Sequence, residues 1–206
     1  MALLHNTEIQ ARLVEPVISK RLFITPLLDP SAQIGKCSID VRLGNEFIVT
    51  QQTNIADIDL ARRDSISRNI GRYQELVRVD FGEPFILHPN HLVLASTLEY
   101  IGIPVDVAAQ VEGRSSWGRL GLIIATATSI APGFKGAVTL ELVNLGMVPL
   151  SLYPGLVIAQ ILLYNVGGDS DYEGRYSYPT GPQFSRIHKD SGSEFWTEPK
   201  NFSDRF

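Results

Sequence analysis

Thiols are scarce in this sequence, since Cys37 is its only cysteine in 206 residues. One thiol excludes a disulfide framework within the chain and a zinc site built on two or more thiolates. The sequence begins without a charged stretch that leads into an apolar one. No apolar run approaches the roughly 18 residues of a transmembrane helix. We therefore expect no secretory signal, no membrane association and a cytoplasmic location.

Positive charge is also scarce. The formal net charge is −4, whereas a protein that binds a nucleic-acid backbone needs a basic face. We therefore expect no nucleic-acid partner, although a free nucleotide needs only a few local arginine or lysine residues. The 44% hydrophobic content is enough for one substantial core, and we expect a single domain over residues 1–206.

Helical patterns are few, and strand patterns are many. Residues 7–14 predict a short helix with Thr7 and Gln10 as a capping box, and residues 57–72 predict a surface helix. Short alternating or β-branched runs, separated by Gly and Pro, predict strands in an all-β sandwich or barrel. These runs are residues 40–49, 92–98, 122–128, 137–144 and 156–163.

The end of the chain has a different composition. From about residue 167 to residue 206, Gly, Ser, Tyr, Asp and Pro dominate, and the hydrophobic pattern has little periodicity. This composition predicts a flexible tail or an arm that becomes ordered over a ligand or a neighbouring subunit.

The segment 113–119 reads Gly-Arg-Ser-Ser-Trp-Gly-Arg. Its glycines allow close backbone approach to a ligand, and its hydroxyl and guanidinium groups suit phosphate oxygens. The pattern alone leaves two interpretations open, a phosphate-binding loop or a polar turn with surface arginines. A nucleophilic role for Ser115 or Ser116 has little support, because no nucleophile-elbow pattern surrounds them.

Glu141 lies in the middle of the strand predicted over residues 137–144. Alternation puts Val138, Leu140 and Leu142 on one face and Ala137, Thr139, Glu141 and Val143 on the other. A carboxylate at this position is either solvated, which is the commoner explanation of such a pattern, or held in a pocket that raises its pKa. A raised pKa suits a general acid or base.

Other charged and ligand-type residues have structural interpretations. Asp40 and Arg42 point to the same face of a strand and could pair, which we interpret as an ion pair that fixes packing. The four histidines show no metal-ligand spacing on a helix and no accompanying acidic cluster. We therefore expect none of them to bind a metal.

Four segments, in this order, resemble the dCTP deaminase branch of the dUTPase superfamily. Residues 38–47 resemble its N-terminal signature, residues 113–119 its phosphate-binding segment and residues 132–144 its catalytic strand. Residues 175–187 resemble its C-terminal closing segment. The resemblance implies a dUTPase-like distorted β-barrel or jelly roll, mainly β, with a short N-terminal helix and a tail over about residues 167–206.

The resemblance also implies an activity and partners. It implies a homotrimer with active sites at subunit boundaries, a substrate of dCTP with Mg²⁺ on its triphosphate, and hydrolytic deamination to dUTP and ammonia. Zinc deaminases make hydroxide on the metal. This sequence lacks the cysteines for that signature, so we expect no zinc and a positioned base instead.

Carried over residue by residue, the resemblance assigns Glu141 as the catalytic acid and base, with Ser115 and Arg119 holding the attacking water. Arg114, Ser115 and Ser116 contact the triphosphate. The full set of implied nucleotide-binding residues is Arg114, Ser115, Ser116, Trp117, Gly118, Arg119, Ala127, Ala131, Thr139, Leu140, Tyr172, Arg175, Tyr176 and Pro179.

Several positions depart from the family pattern. Ala131 stands where an acidic residue is usual; that carboxylate is associated with the deoxyribose and, in dUTPases, with the hydrolytic water. The segment between Arg119 and Pro132 is one residue shorter than usual, and residues 125–128 lack a histidine often found there. In the tail, Pro179 replaces a glutamine and Arg175 a lysine. Tyr172, taken as the tail tyrosine, also lies closer than usual along the chain to the preceding segments.

Three functions are therefore compared. The first is a dCTP deaminase that feeds dUMP and dTTP synthesis. The second is a dUTP diphosphatase or a bifunctional deaminase-diphosphatase, against which Ala131 counts. The third is a nucleotide-binding or regulatory homologue without catalysis, which the shortened segment and altered tail leave open.

Overall fold

Short β-branched runs separated by Gly and Pro form the strands of this protein. The computed structural model describes residues 2–51, 53–55, 57–58, 69–125, 129–168, 172, 174, 176 and 178–189. Within them the strands are β1 (Ala2–Leu3), β2 (Phe23–Thr25), β3 (Ser38–Arg42), β4 (Glu46–Thr50), β5 (Gln74–Arg78), β6 (Phe85–Leu87), β7 (Leu92–Gly102), β8 (Val107–Gly113), β9 (Leu122–Ile124), β10 (Ser129–Ile130), β11 (Lys135–Asn144), β12 (Leu150–Leu152) and β13 (Val157–Asn165).

The helices are few and short. They are α1 (Asn6–Leu13), α2 (Pro30–Gln33) and α3 (Ser115–Gly118), with 3₁₀ turns at Ile18–Lys20 and Ile187–Lys189. Residues 69–73 are also helical. No helix among the described residues has the length and apolar character needed to cross a lipid bilayer.

Two sheets carry the architecture. The first has the order β1-β13-β8-β10, with β3 also paired to β13, and the second has the order β5-β4-β7-β11-β9, with β2 also paired to β7. A two-stranded ribbon joins β12 and β6. In the described part of the chain, these sheets are not closed into a barrel. The predicted mainly β fold is confirmed, and two sheets that share one core fit a jelly-roll-like arrangement.

Apolar side chains from both sheets form one core. Val41 and Ile161 come from the first sheet, and Leu140 and Phe47 come from the second; each is at most 2% exposed. Phe47 stacks on Phe85 with ring centroids 4.3 Å apart. Burial of each such side chain contributes about 1.5–3 kcal/mol, so this core holds the strands that carry the site.

The described structure divides into two compact units. The first comprises residues 1–49 and 76–183, and the second comprises residues 50–75 and 184–206. All the sequence-predicted site residues belong to the first unit. The single domain expected over residues 1–206 stays a prediction.

The helix predictions were partly right. The predicted helix at residues 7–14 exists, but it begins at Asn6, and the predicted capping box of Thr7 and Gln10 is wrong. Instead, the His5 backbone N–H donates to the Glu8 carboxylate at 2.8 Å. Of the helix predicted over residues 57–72, residues 69–72 are helical and residues 57–58 are not. The remaining residues, 59–68, lie outside the described residues.

An irregularity in β7 adjusts the strand that carries Glu141. Ala137 lies opposite Tyr100 and Thr139 lies opposite Ser96, so three residues of β7 face Val138 alone. The Thr97 hydroxyl accepts a hydrogen bond from the Val138 N–H at 2.9 Å, which replaces a missing ladder bond. Such bulges re-aim side chains along a strand, and this one sets the register of the Glu141 half of β11.

The irregular segment of β7 also contains a buried carboxylate. Glu99 is fully buried, and its Oε1 accepts from the Arg42 Nε at 2.7 Å while its Oε2 accepts from the Arg42 backbone N–H at 2.8 Å. Arg42 also donates to the Pro26 carbonyl at 2.9 Å. The predicted pairing of Asp40 with Arg42 is therefore wrong, because the core supplies Arg42 with a buried partner from β7.

Candidate active site

Glu141 lies at the centre of β11, opposite Leu94 of β7. Its side chain is half-buried, and its carbonyl accepts a hydrogen bond from the Ala125 N–H at 2.8 Å. Burial raises the pKa of the Glu141 carboxyl above its ordinary value, because partial removal from water disfavours the charged form. A carboxyl in this environment takes up and releases a proton more readily near neutral pH than a solvated one.

The two faces of β11 follow the predicted alternation from Val138 onward. Val138, Leu140 and Leu142 are buried, whereas Thr139, Glu141 and Val143 are half-buried. Ala137 was predicted on the Glu141 face but is only 3% exposed. It precedes the bulge, at the point where the tail packs on the strand. Leu140, which was predicted to bind nucleotide, is fully buried in the core.

The segment 113–119 forms the end of β8 and the short helix α3. Arg114 occupies the N-cap position, and Ser115 and Ser116 are exposed in the first turn. The Trp117 indole N–H donates to the Val157 carbonyl at 3.0 Å, which fixes α3 to the start of β13. Arg119 follows at the exposed end of the helix, so the polar groups of this loop face solvent.

Asp40 of β3 is the ion-pair partner of Arg114. The Arg114 Nη1 donates to the Asp40 Oδ2, and the two side chains are 38% and 24% exposed. The sequence motif at residues 38–42 is thereby connected to the loop at residues 113–119. Sequence reasoning missed this pair, because the two residues are far apart in the chain and meet only through strand pairing.

β9 connects α3 with Glu141. It runs antiparallel to β11, with Leu122 opposite Asn144 and Ile124 opposite Leu142. The chain then reaches Ala125, which donates to Glu141. A single strand, β9, therefore leads from the polar loop at residues 113–119 to the residue that bonds to the Glu141 carbonyl. Ala127, another predicted site residue, lies outside the described residues.

Ala131 lies in the turn between β10 and β11. Its carbonyl accepts a hydrogen bond from the Phe134 N–H at 3.2 Å, and the residue is half-buried. The turn continues through Gly133, whose φ of +76° is a conformation that favours glycine. A methyl group therefore occupies the position where the family pattern places a carboxylate.

Part of the C-terminal tail packs on the beginning of β11. The Ala137 N–H donates to the Pro179 carbonyl at 2.7 Å, and the Tyr178 N–H donates to the Lys135 carbonyl at 3.1 Å. Further along, the Gln183 N–H donates to the Thr139 hydroxyl at 3.2 Å. Pro179 is thus buried against β11 at Ala137, two residues before Thr139.

The aromatic residues of the tail were predicted to contact nucleotide. Tyr172 packs edge-to-face on Phe134, with ring centroids 5.7 Å apart, and lies against the core. Tyr176 is half-buried. Arg175 lies outside the described residues.

Two tail contacts were missed by the sequence analysis. They are the Gln183 contact to Thr139 and the close approach of Pro179 to Gly136, where a Cβ would overlap the proline ring. The glycine directly before an apolar strand was the available signal for the second contact.

One edge of β11 faces β7, and two different segments cover the other edge. The tail bonds to Lys135 and Ala137, whereas Ala125 and β9 cover the strand from Glu141 to Asn144. Glu141 therefore lies where these two coverings meet. No group of three or more His, Cys, Asp or Glu side chains in the described part of the chain is placed to hold a metal ion.

Comparison with known proteins now adds to this geometry. A family model described as dCTP deaminase-like matches residues 3–166. The chain belongs to this family. The matched region includes Asp40, the loop at residues 113–119 and Glu141, and it ends before the tail.

Individual relatives agree with this assignment. A dCTP deaminase of Natronomonas pharaonis is 40% identical over 199 residues, which cover 91% of this chain and 96% of that protein. A protein of Halobacterium salinarum named dCTP deaminase, dUMP-forming, is also 40% identical, over 195 residues that cover 91% of this chain and 96% of the relative.

A solved structure shows the same fold. It is the 2′-deoxycytidine 5′-triphosphate deaminase from Agrobacterium tumefaciens, with a TM-score of 0.58 and 20% identity over 80% of this chain. The matched region spans 48% of that protein, about half its length. At this identity the similarity concerns the fold, and it supports the jelly-roll-like arrangement described above.

Proposed function

We propose that this protein deaminates dCTP to dUTP and ammonia without zinc. The observation that carries the proposal is the half-buried Glu141 on β11, whose pKa is raised by desolvation. Membership of the dCTP deaminase-like family and two relatives named for dCTP deamination support the choice of substrate.

The proposed chemistry needs one water and one proton carrier. The Glu141 carboxylate takes a proton from water as the water oxygen bonds to C4 of cytosine. It passes this proton to N3, and a second proton from the C4 hydroxyl then reaches the amino group by the same carboxylate. The C4–N bond breaks, ammonia leaves and the C4 oxygen becomes the carbonyl of uracil. Such general acid–base help contributes about 10²–10⁴-fold.

The remaining site residues bind and orient in this proposal. Ser115 and Arg119 hold the attacking water, and Arg114 with Ser116 contacts the triphosphate through charge-assisted hydrogen bonds. Their exposed or partly exposed side chains fit that role. Mg²⁺ prefers phosphate, carboxylate and water oxygens, so the triphosphate itself would hold it.

Replacement of Glu141 by Gln tests the proton carrier. We expect turnover of dCTP to fall about 10²–10⁴-fold with little change in dCTP affinity, because the amide keeps the shape but cannot accept the proton. Ammonia release and equilibrium binding measure the two quantities. Glu83→Gln, in an exposed turn, is the matched control. Normal turnover in Glu141→Gln would exclude the assignment.

A dUMP-forming reaction is the second candidate. It is favoured by the Halobacterium salinarum relative, which is as similar as the Natronomonas pharaonis relative and is named dUMP-forming. Ala131 counts against it, because a methyl group cannot activate water for attack on phosphate.

A product assay separates the candidates. Incubation with dCTP and Mg²⁺ yields ammonia and dUTP if the first is right, and ammonia, dUMP and pyrophosphate if the second is. Binding of dCTP without product would indicate a nucleotide-binding homologue. A parallel incubation with CTP tests whether Ala131 relaxes selectivity for the deoxyribose.

We also propose that the active protein is a homotrimer that works in the cytoplasm. The exposed groups of α3 fit an active site that a neighbouring copy completes, and the family resemblance supplies the threefold arrangement.

A further inference from the structure

Arg114 is held at one end of its guanidinium group. In the described part of the chain, its Nη1 donates to the Asp40 Oδ2 and its other nitrogens have no partner. A guanidinium carries five N–H donors in a planar fork. The contact with Asp40 therefore uses one edge of the fork and leaves donors for a further acceptor.

Strand pairing places Asp40 beside Arg114. Asp40 lies opposite Gln160 of β13, and Gln160 lies opposite Glu112 of β8. Arg114 comes two residues after Glu112, and side chains two apart on an extended chain share a face. The ion pair thus crosses the central strand of the first sheet and connects β3 with the beginning of α3.

Asp40 has no competing cation on its own strand. Arg42, the nearest candidate, is bound to the buried Glu99. Asp40 therefore pairs with Arg114 and not with Arg42. The other charged residue of β3, Arg42, forms a separate pair with the buried Glu99.

We propose that Asp40 is a positioning residue that orients the Arg114 guanidinium for the nucleotide triphosphate. This inference rests on the proposed function of Arg114. Arginine loses much side-chain entropy when it is fixed, so an arginine that is already oriented loses less on binding. The Asp40 carboxylate also reduces the positive charge beside the loop at residues 113–119, which weakens its attraction for the triphosphate. The proposal requires the gain in affinity from the oriented guanidinium to exceed this loss.

Asp40→Asn tests the proposal. We expect KM for dCTP to rise about tenfold with kcat changed less than about twofold, because Glu141 is untouched. The ion pair is partly exposed and contributes little to stability, so the folded state should persist; urea denaturation checks this. Asp106→Asn is the matched control. It breaks the Arg12–Asp106 pair, at 2.8 Å, and should leave KM unchanged.

A second background shows whether Asp40 acts through Arg114. Arg114→Gln should itself raise KM, and adding Asp40→Asn to it should cause little further change. An equal effect of Asp40→Asn in both backgrounds would overturn the proposal. So would an unchanged or lower KM in the single variant, or an effect that saturating Mg²⁺ abolishes, since that would assign the carboxylate to the cation.

A ligand without phosphates gives a further comparison. Inhibition by deoxycytidine should be the same in wild-type protein and Asp40→Asn, because Arg114 is proposed to contact only the triphosphate. Weaker inhibition by deoxycytidine in the variant would indicate a role in base or sugar binding and would overturn the proposal.

Binding measurements separate this inference from the proposed reaction. Calorimetry of dCTP with Glu141→Gln protein, with and without Asp40→Asn, reports the effect of Asp40 without turnover. If wild-type protein releases no ammonia but Asp40→Asn still weakens dCTP binding about tenfold, the reaction is excluded and the role of Asp40 stands. If binding is unchanged, the inference fails whatever the reaction.

Discussion

Glu141 illustrates how local surroundings decide the role of a residue. In the sequence it was a strand glutamate whose commonest explanation was solvent exposure. The structure places it half-buried between covered segments of β11, and the resulting desolvation raises the pKa of its carboxyl. The sequence pattern indicated its position on the strand, but it did not show how far packing removes the carboxyl from water.

The raised pKa predicts the pH dependence of the reaction. Glu141 must be ionised to accept the proton of water, so kcat/KM should rise with pH as this carboxyl loses its proton. Since burial raises its pKa, the midpoint of this acid limb should lie above the ordinary glutamate value of 4.5. Rates of ammonia release from acid to neutral pH measure it. A midpoint at or below 4.5 would contradict the prediction.

The buried Glu99 predicts a stability effect at a distance from the chemistry. Glu99→Gln leaves the Arg42 charge without a counter-charge in a largely buried site, since the Arg42 side chain is only 11% exposed. We expect the free energy of unfolding to fall by about 3 kcal/mol, as measured by urea denaturation.

An exposed pair provides the control for Glu99. Arg78, whose side chain is 70% exposed, pairs with Glu46, and Arg78→Gln should change the free energy of unfolding little. Similar losses in the two variants would show that burial of the Glu99 pair has no special effect.

Among elements, the strands were predictable and their irregularities were not. Alternation located β7, β11 and β13 within a few residues. It did not predict the bulge in β7, because that feature depends on the Thr97 hydroxyl and the burial of Glu99 across the sheet. The partner of Asp40 escaped prediction for the same reason, since pairing between distant strands is not visible in local sequence.

The tail contact predicts an effect of Gly136. A Cβ at this position would overlap the ring of Pro179, so Gly136→Ala should displace the tail from β11. The Ala137 amide, which donates to Pro179, should then exchange with deuterium faster, whereas the Leu140 amide in the strand interior serves as the internal control. Unchanged exchange at Ala137 would show that the tail accommodates the methyl group.

At the scale of the whole molecule, the trimer is the main expectation. One chain has a mass of 22.8 kDa, and light scattering during size-exclusion chromatography should give three times that value. A mass near that of one chain would exclude the trimer. Because the exposed groups of α3 are proposed to meet a neighbouring copy, dilution to monomer should also abolish ammonia release.

The double covering of β11 has a consequence beyond catalysis. An uncovered strand edge presents unpaired N–H and C=O groups that can pair with another chain. The tail bonds to Lys135 and Ala137, and so protects an edge that β9 leaves open. Loss of the tail would therefore create a site for edge-to-edge aggregation, so selection against insolubility, as well as for activity, would preserve a tail that fits this strand.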